Sequence, residues 1–249
     1  MVHLREAFLS EVFPCASNGA GAMGQSRVLP LFHNLRTPCV SGFLHVPASP
    51  TGDKLILTHG AGANCQSALL VALATAFCES GLTVLRCDLP FRQLHPHGPP
   101  PRSTANHDQQ GLRNAVLAMR RASGRVFLGG HSYGGRQATM LAAAEPGLVD
   151  GLLLLSYPLH PPKKSEQSRT AHLPNLRTPA LFVHGSRDSM GMIEEMRRAV
   201  NLIHAQTELV VVQGAGHGLA SAKTVGDVTT TVVKAFWNFV DSAKLLGND

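Results

Sequence analysis

Seven short stretches of the chain, residues 40–46, 54–58, 83–87, 125–129, 152–156, 180–183 and 209–212, are rich in Leu, Val, Ile and Phe. Most of them run apolar through successive positions with no in-out alternation, and such a strand must be covered on both faces. Between them lie longer segments, residues 65–80, 104–121, 133–144, 191–204 and 225–246, each long enough to be the crossover helix that joins two parallel strands. The alternation predicts an α/β architecture, a doubly wound, mostly parallel sheet with helices on both faces. Some helix ends are legible. Ser103 and Thr104 are candidate N-caps with Asp108 in the first turn, while Gly81 and the pair Pro146-Gly147 mark C-terminal stops.

A length of 249 residues fits either one large domain or two small ones, and the uninterrupted alternation favours one, from residue 37 to 249. Residues 1–36, with a Gly/Ala/Ser patch at 16–24, show no clear period and are expected to be an extension or an edge hairpin. With 44% hydrophobic and 15% charged residues, disorder is excluded. The net charge of +6 comes from 22 Lys and Arg spread along the chain, not from blocks, so nucleic acid is not an expected partner. Five cysteines, with no C-x-x-C pair, predict a reducing compartment and no structural zinc. The apolar run near the N-terminus is interrupted by Ser10 and Glu11, and no stretch approaches the ~18 residues of a membrane span. A cytoplasmic protein, monomer or homodimer, with no membrane partner is expected.

Gly130-His131-Ser132-Tyr133-Gly134-Gly135 falls between the run at 125–129 and the helix expected from Tyr133. A G-x-S-x-G in that setting describes a tight, strained turn that lifts a serine hydroxyl above the sheet, although a glycine-rich turn of this kind also cradles phosphates. A serine needs an imidazole in hydrogen-bond reach, itself oriented by a carboxylate, before it is nucleophilic at neutral pH. Both follow in order: Asp188 after the run at 180–183, in His184-Gly185-Ser186-Arg187-Asp188, and His217 after the run at 209–212, in Gly214-Ala215-Gly216-His217-Gly218. Taken singly, Asp188 reads as a helix N-cap and His217 as one of 13 histidines. Taken with Ser132 on matching strand ends, they form a candidate triad. His59-Gly60-Ala61-Gly62 follows the run at 54–58, so its N–H groups face the same edge. Ala61 and Tyr133 are the candidate oxyanion donors, with Gly62 as the substitute for Ala61.

These motifs, with residues 85–91, 156–162 and 169–173, make the chain resemble the α/β-hydrolase superfamily from about residue 40 to 240. Within it the chain is similar to small predicted bacterial hydrolases related to dienelactone hydrolases. It is also similar to the α/β-hydrolase-like domains of two animal proteins, a chromatin-complex subunit and a testis-expressed protein. The resemblance implies an α/β-hydrolase fold of about eight strands with Ser132, Asp188 and His217 as the triad. Dienelactone hydrolases commonly carry a cysteine nucleophile where this chain has Ser132. Larger relatives insert a helical cap after the sixth strand, for which the roughly two dozen residues between Ser156 and Ala180 leave no room. The pocket is therefore expected to be open, walled by the loops at 90–101 and 158–174.

The expected activity is a carboxylesterase-like serine hydrolase on a small-molecule ester, needing no metal and no organic cofactor. A thioesterase or lactone hydrolase would use the same triad, and a non-catalytic interaction domain is the reading from another class. Gly62, Arg92 and His131, on or beside the site loops, are the candidates for substrate contact. Arg136, Arg169 and Arg187 lie near the same loops. An arginine there either recognises a carboxylate or phosphate on the substrate or pins a loop by ion pairing, the commoner use. His95, His97 and His107 define no ligand geometry and are expected at the surface.

Overall fold

The computed structural model describes residues 25–33, 38–120 and 123–246. Eight strands form one sheet: β1 (Arg27–His33), β2 (Val40–Val46), β3 (Lys54–Thr58), β4 (Thr83–Cys87), β5 (Val126–His131), β6 (Gly151–Leu155), β7 (Ala180–Gly185) and β8 (Thr207–Val212). Their spatial order is β1-β2-β4-β3-β5-β6-β7-β8. β2 runs antiparallel to both of its neighbours, and every pair from β4 to β8 is parallel. Within the segment expected to be an extension or an edge hairpin, residues 27–33 form an edge strand, β1, paired antiparallel with β2 along seven residues. The Gly/Ala/Ser patch at 16–24 lies outside the described residues.

The continuous apolar runs have a simple physical basis. All five positions of β3, β4 and β6 are buried, because successive side chains enter different cores. From β3, Ile56 joins one core with Leu85, Leu128 and Leu154, while Leu55 and Leu57 join the other with Leu153 and Val183. Among the described residues six α-helices supply the covering layers: α1 (Ala68–Glu79), α2 (Pro90–Leu94), α3 (Ala105–Met119), α4 (Tyr133–Ala144), α5 (Ile193–Val200) and α6 (Val225–Leu246). Helices α3, α4 and α5 cover one face through residues such as Leu112, Ala138 and Met196; α1 and α6 cover the other through Leu73, Phe77 and Phe236. Among the described residues no helix is long and apolar enough to cross a membrane.

Local sequence accounts for several boundaries. Gly81 closes α1 at φ +97°, its N–H and that of Leu82 returning to Cys78 and Phe77 carbonyls. Thr104 sits at the α3 N-cap, yet its hydroxyl donates to the Pro101 carbonyl and to Asp108, so it caps no helical N–H. The stretch at 90–101, expected to be irregular, opens with the short helix α2, for which Pro90 is pre-set at the first position. α5 is shorter than expected. It begins at Ile193, where the Glu195 carboxylate takes the Met192 N–H at 2.8 Å, and ends at Val200.

Phe236 of α6 is 1% exposed and meets Phe77 and Phe127 edge-to-face, each at 5.0 Å between centroids. These contacts hold α6 against both α1 and the sheet. Phe236→Ala should lower unfolding free energy by about 3–5 kcal/mol, measured by urea denaturation, with Phe236→Leu losing markedly less.

Candidate active site

The parallel strands all end at one edge, and the loops leaving β3, β5, β7 and β8 meet there. Ser132 occupies the turn between β5 and α4 at φ 51° and ψ −115°, a backbone conformation that side-chain-bearing residues rarely adopt. Such strain costs about 1–3 kcal/mol and persists only where its surroundings enforce it. Here the entering strand and departing helix touch. A Cβ on Gly130 would lie 2.6 Å from the Gly134 carbonyl carbon, and one on Gly134 would lie 2.6 Å from the His59 oxygen. The Ser132 N–H is held by the Leu155 carbonyl at 2.8 Å, and the Ser132 carbonyl accepts the Arg136 N–H at 3.0 Å.

From this turn the Ser132 hydroxyl donates to His217 Nε2 at 2.7 Å. His217 Nδ1 in turn faces Asp188, 2.8 Å from Oδ2 and 3.0 Å from Oδ1. An acceptor on one side and a hydroxyl donor on the other specify the neutral tautomer with its proton on Nδ1. Asp188 is completely buried. Burial pushes its carboxyl up, but hydrogen bonds from His217 and the Met190 N–H, with the nearby imidazoles of His217 and His184, outweigh burial and keep its pKa below the ordinary value. The carboxylate is thus ionised where an imidazolium would form. His184, four residues earlier in β7, donates from Nε2 to the Gly191 carbonyl at 2.8 Å and so ties β7 to the loop that carries Asp188.

The loop at 59–62 closes the other side. Ala61 and Tyr133 both line the cavity beside Ser132, and among the described residues neither N–H donates to a backbone carbonyl. Tyr133 is anchored by its side chain: its hydroxyl donates to Asp108 Oδ2 at 2.8 Å, and its ring meets Phe91 edge-on. Asp108 also accepts the Phe91 N–H at 3.0 Å. The sequence alone places Asp108 only in the first turn of α3. Its register with Leu112, Ala115 and Met119, all on the buried face, was the signal that it is an interior carboxylate.

Three candidates for substrate contact are corrected. Arg92 is 5% exposed, and its guanidinium donates to four backbone carbonyls, those of Ala61, Ala63, His95 and Gly98, at 2.7–2.9 Å. It ties the Ala61 loop to the loop after α2 and has no free face for a substrate. His131 turns away from the cavity and donates from Nε2 to the His217 carbonyl at 2.9 Å. Burial, its largest influence, lowers its pKa to about 4, so it is a neutral support for the His217 loop. Gly62 is exposed, and a Cβ there would touch nothing within 4 Å; Ala61 lines the wall instead. Of the remaining arginines, Arg136 and Arg169 line the cavity and Arg187 is exposed.

The cavity holds about 350 Å³ and is walled, as expected, by the two proline-rich loops, through residues 99–101 on one side and Pro158 and Arg169 on the other. Among the described residues no group of three or more His, Cys, Asp or Glu side chains is placed to hold a metal ion.

A sheet of this order, with a strained serine after its fifth strand, agrees with sequence comparison: residues 51–243 match the family model described as an alpha/beta hydrolase domain. The chain belongs to the α/β-hydrolase family. Among solved structures this family member is similar to a dienelactone hydrolase from Anabaena variabilis, with a TM-score of 0.68 and 20% identity over 86% of this chain and 99% of that one. It is similar to Est1E from Butyrivibrio proteoclasticus at a TM-score of 0.67 and 16% identity, covering 85% and 99% of the two chains. A third similar structure is XC6422 from Xanthomonas campestris, described as an α/β serine hydrolase without lid. Its TM-score is 0.64 and its identity 16%, over 89% of this chain and 98% of that one.

Burial also holds His45 and His172 near a pKa of about 4, as for His131, against an ordinary value of 6.5. The unfolded chain therefore binds more protons below pH 6.5. Stability is fully present above that value and declines as pH falls toward 4. The urea midpoint should drop across this window, and less steeply in His131→Gln; a midpoint independent of pH there would contradict the assignment.

Proposed function

We propose that the protein is a serine hydrolase that cleaves a small carboxylic ester through an acyl-enzyme on Ser132. One observation carries this reading: the hydrogen-bonded line from Ser132 Oγ through His217 to a buried, ionised Asp188 opens onto an accessible cavity. His217 Nε2 takes the hydroxyl proton as Ser132 Oγ bonds to the ester carbonyl carbon, and the carbonyl oxygen gains negative charge. The N–H groups of Ala61 and Tyr133 receive that charge, a contribution of about 10²–10³-fold for such a donor. The C–O bond then breaks, and the proton passes from His217 to the departing alcohol. Water repeats the sequence in reverse: it gives its proton to His217, attacks the acyl carbon, and the returning proton restores Ser132 as the acid leaves.

Asp188 keeps the imidazole in the tautomer that can accept at Nε2 and stabilises its protonated form. Arg92 and Asp108 are positioning residues: one holds the Ala61 backbone, the other the Tyr133 side chain. The short β6–β7 connection leaves the cavity without a covering domain, which suits a small substrate entering from solvent. The same machinery serves a thioester or a lactone, and a panel of p-nitrophenyl esters, thioesters and lactones separates them.

Ser132→Ala should lower hydrolysis of p-nitrophenyl acetate by about 10⁴–10⁶-fold while leaving the thermal midpoint above the assay temperature. A fluorophosphonate probe should label the wild type at Ser132 and spare the variant. Unchanged turnover in the variant, or no labelling of folded wild type, would sink this reading, the latter in favour of a non-catalytic interaction domain.

A further inference from the structure

Among the described residues, the arginines that are not exposed nearly all have their charge answered. Arg125 pairs with Asp53 and Arg113 with Glu145, Arg86 donates to His45 and a backbone carbonyl, and Arg92 donates to four carbonyls. Arg136 and Arg169 differ. Both are half-buried, both line the cavity at Ser132, and neither guanidinium has an ion pair or a hydrogen bond within the described residues. Arg136 Nε is itself fully buried without a partner.

Among the described residues the surroundings supply no compensating anion. The cavity wall contains no Asp or Glu. His172, the titratable neighbour beneath, is held neutral by burial and by Arg136, with a pKa of about 4. Asp108 reaches the wall only from behind Tyr133, and its oxygens are taken by the Tyr133 hydroxyl, the Phe91 N–H and Thr104. The Arg169 pKa is lowered first by burial and next by the like charge of Arg136, so the two guanidinium groups share one field. Two desolvated cations facing the same space are unfavourable unless an anion joins them.

Both arginines are also set in firm backbone. Arg136 lies one turn along α4 from Ser132, joined by its N–H to the serine carbonyl. Arg169 is clamped between the Leu159 carbonyl, which accepts its N–H at 2.8 Å, and the Tyr157 hydroxyl, which donates to its own carbonyl at 3.1 Å. A planar guanidinium fork offers paired donors that match a carboxylate or phosphate.

Resting on the hydrolase reading of Ser132, we propose that the substrate is an anionic ester, whose carboxylate or phosphate group is received by Arg136 and Arg169 while its carbonyl lies at Ser132. One helical turn rises about 5 Å, which suits a spacer of a few carbons between the two groups. The arginines give substrate selection, and the triad gives the bond cleavage.

The test compares kcat/KM for p-nitrophenyl hydrogen glutarate, p-nitrophenyl 4-phosphonobutanoate and 4-acetoxybutanoate with their neutral methyl-capped counterparts, using Ser132→Ala as the blank. At least one anionic probe should be preferred over its neutral partner by about 10-fold or more, the size expected for a hydrogen bond to a charged group. Preference for the glutarate or the phosphonate tells carboxylate from phosphate. Arg136→Gln and Arg169→Gln should each erode that ratio, Arg169→Lys should erode it less, and Arg120→Gln, a change at an exposed ion pair with Asp150, should not alter it. Equal rates on charged and neutral esters, or a preference that survives both glutamine variants, would overturn the anionic assignment and leave the esterase standing. If no ester is turned over and no fluorophosphonate label appears on Ser132, both readings fall together.

Discussion

The contact between the end of β5 and the start of α4 sets where everything else in the site must be. Gly130 and Gly135 let strand and helix approach until only hydrogen fits between them, and the residue at the apex is driven to a positive φ. That conformation projects the Ser132 side chain out of the sheet edge toward the loop after β8, where His217 meets it at 2.7 Å. Because β5 lies centrally, with β3 on one side and β6 on the other, the turn cannot relax without displacing strands buried on both faces. The strain is held by the hydrophobic cores.

Around the turn, several polar side chains act on the backbone of the neighbouring loops. Arg92 gathers four carbonyls, His131 holds the His217 carbonyl, His184 holds that of Gly191, and Asp108 fixes both Tyr133 and the start of α2. Buried carbonyls in irregular loops need donors, and long side chains from adjacent loops are the nearest source. The same need explains why polar residues beside the site are mostly turned inward. Arg136 and Arg169 depart from that pattern: both line the cavity, and among the described residues neither guanidinium has a hydrogen bond or an ion pair.

Much of the fold was legible. The near-continuous apolar runs announced strands covered on both sides, and the helix-length segments between them required parallel neighbours. Ser132, Asp188 and His217 could be placed at one edge because parallel strands end together. The helix boundaries were less legible, since α5 stops where Val200 meets the core and α2 occupies a segment whose prolines suggested only irregular chain. The strand β1 was legible only as one alternative, an edge hairpin, because Pro30 blurs its pattern and a strand at the edge of the described sheet needs no strong alternation.

By itself, the order of residues determined the strand-helix alternation, the strained serine turn and the succession Ser, Asp, His, because periodicity and glycine spacing are local properties written along the chain. Only the tertiary structure decided which of the polar residues near the site face the cavity. Arg92 and Arg136 are alike in sequence terms, each within a few residues of a site loop. One finds four carbonyls within reach and is consumed by them; the other finds none among the described residues and lines the cavity. That difference depends on where loops from distant parts of the chain come to rest, which no local pattern records.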